Sequence, residues 1–248
     1  MRRFGVPRLP QHRQGAGRRR APRATAILLA CAAIAGGCGP LVSDEEPTGD
    51  PPEEPMMRSL PEPSTPETGS LEDAVAARRS VRDFDPRALT EAQVGQLLWA
   101  AQGVTDPSGL RAAPSAGATY PLEVYVVTAE WAARYVPGEH ALVEHLDGDH
   151  RRAVTYTAFG QVWMADAPLI VVFTAVEART AERYGDRGAR YVLIEIGHAA
   201  QSLLLQATAV DLVATPVGAF EAAALSRALA LPDEHVPIYL VPVGHPAA

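Results

Sequence analysis

The sequence predicts an α+β domain, and three observations carry that reading. A long helical stretch at 190–209 places Leu193, Ile196, Ala200, Leu203, Leu204 and Ala207 on one broad face, with Leu205 adding apolar surface elsewhere. Short β-favouring runs recur at 122–128, 169–174 and 237–244 among helical segments, and no internal repeat is present. The 178 residues from Leu71 to Ala248 suffice for one compact domain with a core of its own.

The elements follow in order. Ser70 caps a short helix over 71–79, with Asp73 three positions on. Thr90 caps a second helix bearing Val94, Leu97 and Leu98, which Gly103 ends. Val124, Val126 and Val127 make 122–128 a strand, and the unbroken apolar run 169–174 suits a buried sheet position. Residues 138–152 are polar, hold two glycines and give no clear period. Glu221 to Leu229 reads as a helix, with Pro232 stopping the apolar run after it. Residues 237–244 close the chain as a strand, bounded by proline on a sheet edge or between inner neighbours.

Residues 1–37 are a different kind of material. The first 23 carry eight arginines and no acid, and an apolar run of twelve follows at 24–35. That run is too short for a permanent membrane span and reads as an export signal. The ending Gly36-Gly37-Cys38 resembles a bacterial lipobox, which implies a lipid anchor at Cys38 and a membrane lipoprotein on the extracytoplasmic face. Residues 38–70, rich in proline and acid, read as a disordered tether. The domain itself, 71–248, has 21 acids and 13 arginines, which disfavours nucleic acid as a partner. The whole chain lacks lysine, and both cysteines precede residue 39. No lysine acid or base, no Schiff base, no disulfide and no thiol nucleophile is therefore available in the domain.

Two stretches point to chemistry. Arg78, Arg79, Ser80 and Arg82 crowd cationic forks and a hydroxyl into five residues. Such a group suits phosphate oxygens if the chain turns there. It equally suits a solvated helix end whose arginines face the negative pole of the dipole. Pro114-Ser115-Ala116-Gly117 is a small-residue turn with room for a flat ring, or an ordinary turn. Glu195 and His198, three apart on one helix, lack the further ligands a metal needs, so His198 is expected to be packed or hydrogen-bonded. His140, His145 and His150 are expected to face solvent.

Four ordered motifs make the chain recognisable. Arg78-Arg79-Ser80-Val81-Arg82-Asp83-Phe84 resembles the opening motif of the nitroreductase-like flavoprotein superfamily. The stretch 111–125, with Tyr184 to Tyr191, Gly197 to Leu203 and Pro216 to Phe220, looks like its SagB-type dehydrogenase (azoline oxidase-like) branch. The resemblance runs from about Leu71 to Pro246. It implies a central, mainly antiparallel sheet flanked by helices, in an intertwined homodimer with FMN in clefts between subunits. It further implies that Arg78, Arg79, Ser80 and Arg82 handle the phosphate, ribityl chain and pyrimidine edge. Pro114, Ser115, Ala116 and Gly117 would lie against the ring, usually from the partner chain. Pro216, Val217, Gly218, Ala219 and Phe220 would lie on its other side.

The sequence departs from the family pattern in two places. His245 follows Gly244 where an arginine commonly helps bind phosphate, which predicts pH-sensitive FMN binding. Azoline-oxidising relatives use a lysine–tyrosine pair for proton handling; here Arg183 and Tyr184 take those places. An arginine that stays charged is a poor proton carrier, which puts azole formation in doubt. The implied activity is an FMN-dependent oxidoreductase passing hydride through flavin N5. Its substrate is small or peptide-derived, and NAD(P)H or another electron carrier is its partner. The competing reading is a non-catalytic flavin-binding or surface interaction protein.

Overall fold

The computed structural model describes residues 56–64 and 70–248. Eight strands form one sheet: β1 (Met57–Ser59), β2 (Phe84–Asp85), β3 (Leu122–Val127), β4 (Trp131–Val136), β5 (Ala141–Asp147), β6 (Leu169–Ala175), β7 (Val213–Ala214) and β8 (Val236–Pro246). Their order is β1-β5-β4-β3-β6-β8-β2, with β7 alongside β8, and every named pairing is antiparallel. Six α-helices flank the sheet: α1 (Leu71–Ala77), α2 (Glu91–Gln102), α3 (Arg151–Thr157), α4 (Glu177–Tyr184), α5 (Gly188–Ala209) and α6 (Ala222–Ala228). The expected α+β fold with a central antiparallel sheet is what the chain adopts.

Strand periodicity sorts the core into two layers. Val124, Val126, Val171, Phe173, Val241 and Val243 face one way, onto Val94, Leu97 and Leu98 of α2 and Ile196 and Leu203 of α5. Tyr125, Val127, Ile170, Val172 and Leu240 face the other way, onto Val154 of α3 and Leu225 of α6. Both faces of β6 are covered, which is why its apolar run is unbroken. β8 lies inside the sheet, between β6 and β2, and so takes the inner of its two expected places. Pro242 still fits there, opposite Ile170, because proline keeps its acceptor and loses only a donor.

The expected caps form. Ser70 Oγ accepts from Asp73 N at 3.1 Å, and Asp73 Oδ2 accepts from Ser70 N at 3.2 Å. Thr90 and Gln93 repeat that box at the start of α2. Five strands, β1, β2, β4, β5 and β7, have no counterpart in the sequence reading. β4 carries two alanines and an arginine, a weak strand signal, and β5 occupies the unassigned 138–152 stretch. Their pairing with each other, not local propensity, makes them strands.

Three expectations need correction. Part of the 38–70 segment is ordered on the sheet: β1 pairs antiparallel with β5, and Leu60, its side chain buried in the first core layer, donates its N–H to His140 O at 2.9 Å. One leucine and an open strand edge suffice to dock a segment whose composition is otherwise polar. The histidines are half-buried and each is hydrogen-bonded, not simply turned to solvent. His140 bonds Tyr135 Oη at 2.8 Å and Pro61 O at 3.0 Å, His145 bonds Leu229 O at 2.7 Å, and His150 bonds Asp147 O at 2.9 Å. The membrane expectation finds no spanning helix: none among the described residues is long and apolar enough to cross a membrane. The signal, the 24–35 run and Cys38 lie outside the described residues.

Candidate functional site

The sequence-predicted residues gather into two groups. The first surrounds the inner ends of β7 and β8. α1 ends at Arg78, and Arg79 turns its guanidinium back onto the helix's own carbonyls: Nη1 donates to Ala76 O at 2.9 Å and to Arg78 O at 2.8 Å. Arg82 extends over the Trp163 ring, 5.6 Å from its centroid. Arg79, Ser80 and Arg82 are exposed and Arg78 half-buried. Thus one arginine does what a helix end asks of it, while the other side chains remain open to an anion. The backbone between them is pinned: Val81 N donates to Ala214 O at 3.3 Å, and Thr215 Oγ1 donates to Val81 O.

That pinning brings the arginine segment beside Pro216 to Phe220. Val217 is buried and exchanges two hydrogen bonds with Leu240 of β8, at 2.8 and 3.0 Å. Gly218 and Ala219 stay exposed beyond it, and Gln161 Nε2 donates to Ala219 O at 3.2 Å. Phe220 packs on the second core layer. His245 belongs to the same end, paired opposite Asp85 of β2. Gly244 before it is required by close packing. A side chain there would come within 2.7 Å of Pro168 Cδ and 2.9 Å of Phe84 Cδ1.

The second group surrounds the Pro114–Gly117 turn. Ser115 Oγ accepts from Tyr120 N at 2.9 Å and closes the loop. Gly117 sits at φ +61°, and its neighbours Ala118 and Tyr120 also take positive φ, at +53° and +45°. Backbone held in that region by surrounding contacts is a mark of functional loops. Gly117 packs directly on the α4 pair. A β-carbon there would lie 2.7 Å from Tyr184 Oη and 2.9 Å from Arg183 Cδ, while Arg183 Nη1 donates to Gly117 O at 3.1 Å. Tyr184 stacks edge-on against Tyr191 of α5, with centroids 4.9 Å apart. Residues chosen from separate motifs therefore meet.

Glu123 anchors this arrangement from below. Its carboxylate receives Arg179 Nη2 at 2.7 Å and Arg134 Nη1 at 3.0 Å, tying α4 and β4 to β3. Burial pushes the carboxyl pKa up, but hydrogen bonds and charge from Arg179 and Arg134 outweigh it, and the net shift is down. A depressed folded-state value means this stabilisation is complete above the unfolded carboxyl value, near pH ~4.3, and disappears as pH falls through the folded one. Urea midpoints should drop on acidification below that point, and the drop should be smaller in Glu123→Gln. Equal acid sensitivity in both proteins would refute the assignment.

Sequence reasoning missed one group. Glu195 lies in the apolar stretch of α5, 2% exposed, and its Oε1 has no hydrogen-bond partner among the described residues. Burial raises its pKa to about 7, while the Ser115 hydroxyl and the Arg111 guanidinium oppose the rise. It lines a cavity of about 260 Å³ with Pro114, Ser115, Ala116, Tyr191 and His198. The signal was a lone acid among Val192, Leu193, Ile194 and Ile196, weighed only as half of a metal pair with His198 and set aside for want of further ligands. His198 corrects the other half: it is exposed rather than packed, because its position lies on the open side of α5.

With both groups placed, the comparison with known proteins is decisive. Residues 75–245 match the Nitroreductase family. The chain belongs to that family. A candidate nitroreductase of Methanocaldococcus jannaschii is 40% identical over 180 residues, covering 70% of this chain and 90% of that protein. The crystal structure of a candidate nitroreductase from Ralstonia eutropha superposes with a TM-score of 0.71 at 29% identity, covering 77% of this chain and 90% of that one. A chain of the Escherichia coli microcin synthetase McbBCD complex superposes with a TM-score of 0.59 at 20% identity, over 75% of this chain and 76% of that one. That last likeness shows a shared fold alone. Membership in the nitroreductase family supports oxidoreductase chemistry through FMN.

Proposed function

We propose that this nitroreductase-family chain is an FMN-dependent oxidoreductase whose site is completed between two copies of the chain. The carrying observation is the division of the candidate residues into two groups. Arg78 to Arg82, Pro216 to Phe220 and His245 meet at one place, and Pro114 to Gly117 meet Arg183 and Tyr184 at another. No hydrogen bond joins the two groups among the described residues. Apolar side chains left exposed beside them, Leu193 and Ile194 on α5 and Tyr156, Phe159 and Val162 near Trp163, supply surface for a homodimer.

The residues fit the cofactor. Arg78 and Arg82 with Ser80 offer free donors for a phosphate and the polar chain next to it. Gly117 lacks the β-carbon that would collide with Tyr184 Oη and Arg183 Cδ, so the turn packs directly on the α4 pair that would sit beside the ring. The exposed backbone at Gly218 and Ala219 offers N–H donors to the ring's other side. When bound, FMN supplies hydride transfer through N5 between a reductant and an acceptor. The chain's share is to hold it, orient it and exclude water.

The family branch is a finer question. In the SagB-type reading the substrate is peptide-derived, and Tyr184 carries or receives a proton. Arg183, fixed on Gly117 O, is placed to orient an anionic group and not to shuttle protons. That favours small-molecule redox, with NAD(P)H or another carrier as reductant, over azole formation. The test is direct. Purified protein should be yellow and dimeric, bleach anaerobically with a reductant, and regain colour with an acceptor. A colourless protein that cannot be reconstituted with FMN would refute the reading.

A further inference from the structure

Glu195 has no part in the chemistry described above, yet it stands behind the loop that chemistry needs. Its carboxyl is enclosed by α5, with only 2% of the residue exposed, and Oε1 is unpartnered among the described residues. It faces the same cavity as Pro114, Ser115 and Ala116. A buried carboxylate with one unpaired oxygen is costly, whereas the neutral acid gives that end of the group a proton and no charge to solvate. We propose that Glu195 is a positioning residue that couples one proton to FMN affinity. Its ionised form draws the Ser115 hydroxyl onto the carboxylate and away from the ring, and its protonated form releases Ser115 so that the Pro114–Gly117 turn settles against the ring. The inference rests on the FMN reading.

The groups around the carboxyl set the direction. Arg111, from the segment after α2, is the cation whose charge opposes the rise, and its Nη1 already donates to Gln102 Oε1 at 2.9 Å while its guanidinium lies 4.5 Å from the Tyr120 centroid. Ser115 is the polar side chain of the turn; its Oγ accepts from Tyr120 N and keeps its own proton to donate to the carboxylate. Tyr191 and His198 are the titratable neighbours on α5 itself, and Arg183 and Tyr184 reach the region from α4 through Tyr191. No neighbour pairs both carboxylate oxygens, so burial wins and the proton is held up to about pH 7. A ring closing over the cavity adds burial and holds the proton more firmly. Proton uptake from solvent then accompanies FMN binding, and binding weakens as pH rises.

Flavin fluorescence titrations of the purified full chain from about pH 5.5 to about pH 8.5 test this. The wild type should lose roughly tenfold in affinity across that range, the equivalent of one pKa unit of coupling. Glu195→Gln, which keeps the shape of the neutral acid, should hold the low-pH affinity throughout. In a His245→Gln background, which removes the imidazole from the FMN site, the difference in slope between Glu195 and Glu195→Gln should persist, separating the two positions. Should the glutamine variant misfold, calorimetry of the wild type in buffers of different ionisation enthalpy counts the proton directly. Uptake near neutrality supports the coupling. FMN binding with equal slopes in wild type and Glu195→Gln, or with no proton uptake, overturns the coupling alone. Failure to bind FMN at any pH overturns the FMN reading with it.

Discussion

Gly117→Val should reduce FMN affinity by roughly 100-fold, about 2.7 kcal/mol, while the protein stays folded. The reason is local and double. Valine at φ +61° is strained, and its side chain would occupy the space now shared by Tyr184 Oη and Arg183 Cδ, 2.7 and 2.9 Å from the β-carbon position. Both neighbours are the far ends of flexible side chains, so they can swing aside and the fold survives. Swinging aside breaks the Arg183–Gly117 hydrogen bond and lets the turn move. Gly117→Ala should lie between the two. Flavin fluorescence titration and a thermal melt on each variant check this, and wild-type affinity in Gly117→Val would show that the turn does not meet the flavin.

Phe173→Ala should cost about 3–5 kcal/mol of stability, a large fraction of what a domain this size possesses. Phe173 is fully buried at the middle of β6, opposite Val124 and Tyr239, and faces the α2 and α5 layer. Its ring cannot be replaced by collapse, since strands on both sides hold the backbone in place. Urea denaturation measures the loss. A midpoint within experimental error of the wild type would mean that the first core layer is not packed as described.

Much of this was legible from short-range signals. Ser70 with Asp73, Thr90 and Gly103 announced two helices because capping depends only on neighbours in the chain. The continuous apolar run 169–174 announced a strand covered on both faces. The motifs containing Arg78 to Arg82, Pro114 to Gly117, Arg183 to Tyr184 and Pro216 to Phe220 announced a nitroreductase-family chain, and residues 75–245 match that family. The strands β1, β2, β4, β5 and β7 were not legible, since each exists through its partner's hydrogen bonds and not through its own residues. Nor was the state of Glu195: the letter E on an apolar helix face does not say whether water reaches it.

By itself, then, the order of residues determined the α+β class, the capped helices, the family and the segments that carry its chemistry. Those properties are written in spacings of a few residues, where backbone preference and side-chain reach act directly. Only the tertiary structure decided that Gly117 meets Arg183 and Tyr184, that Leu60 draws the 56–64 segment onto the sheet, and that Glu195 lies buried behind Ser115. Contact and desolvation are set by residues far apart in the chain, and no local pattern encodes which distant group will exclude the water.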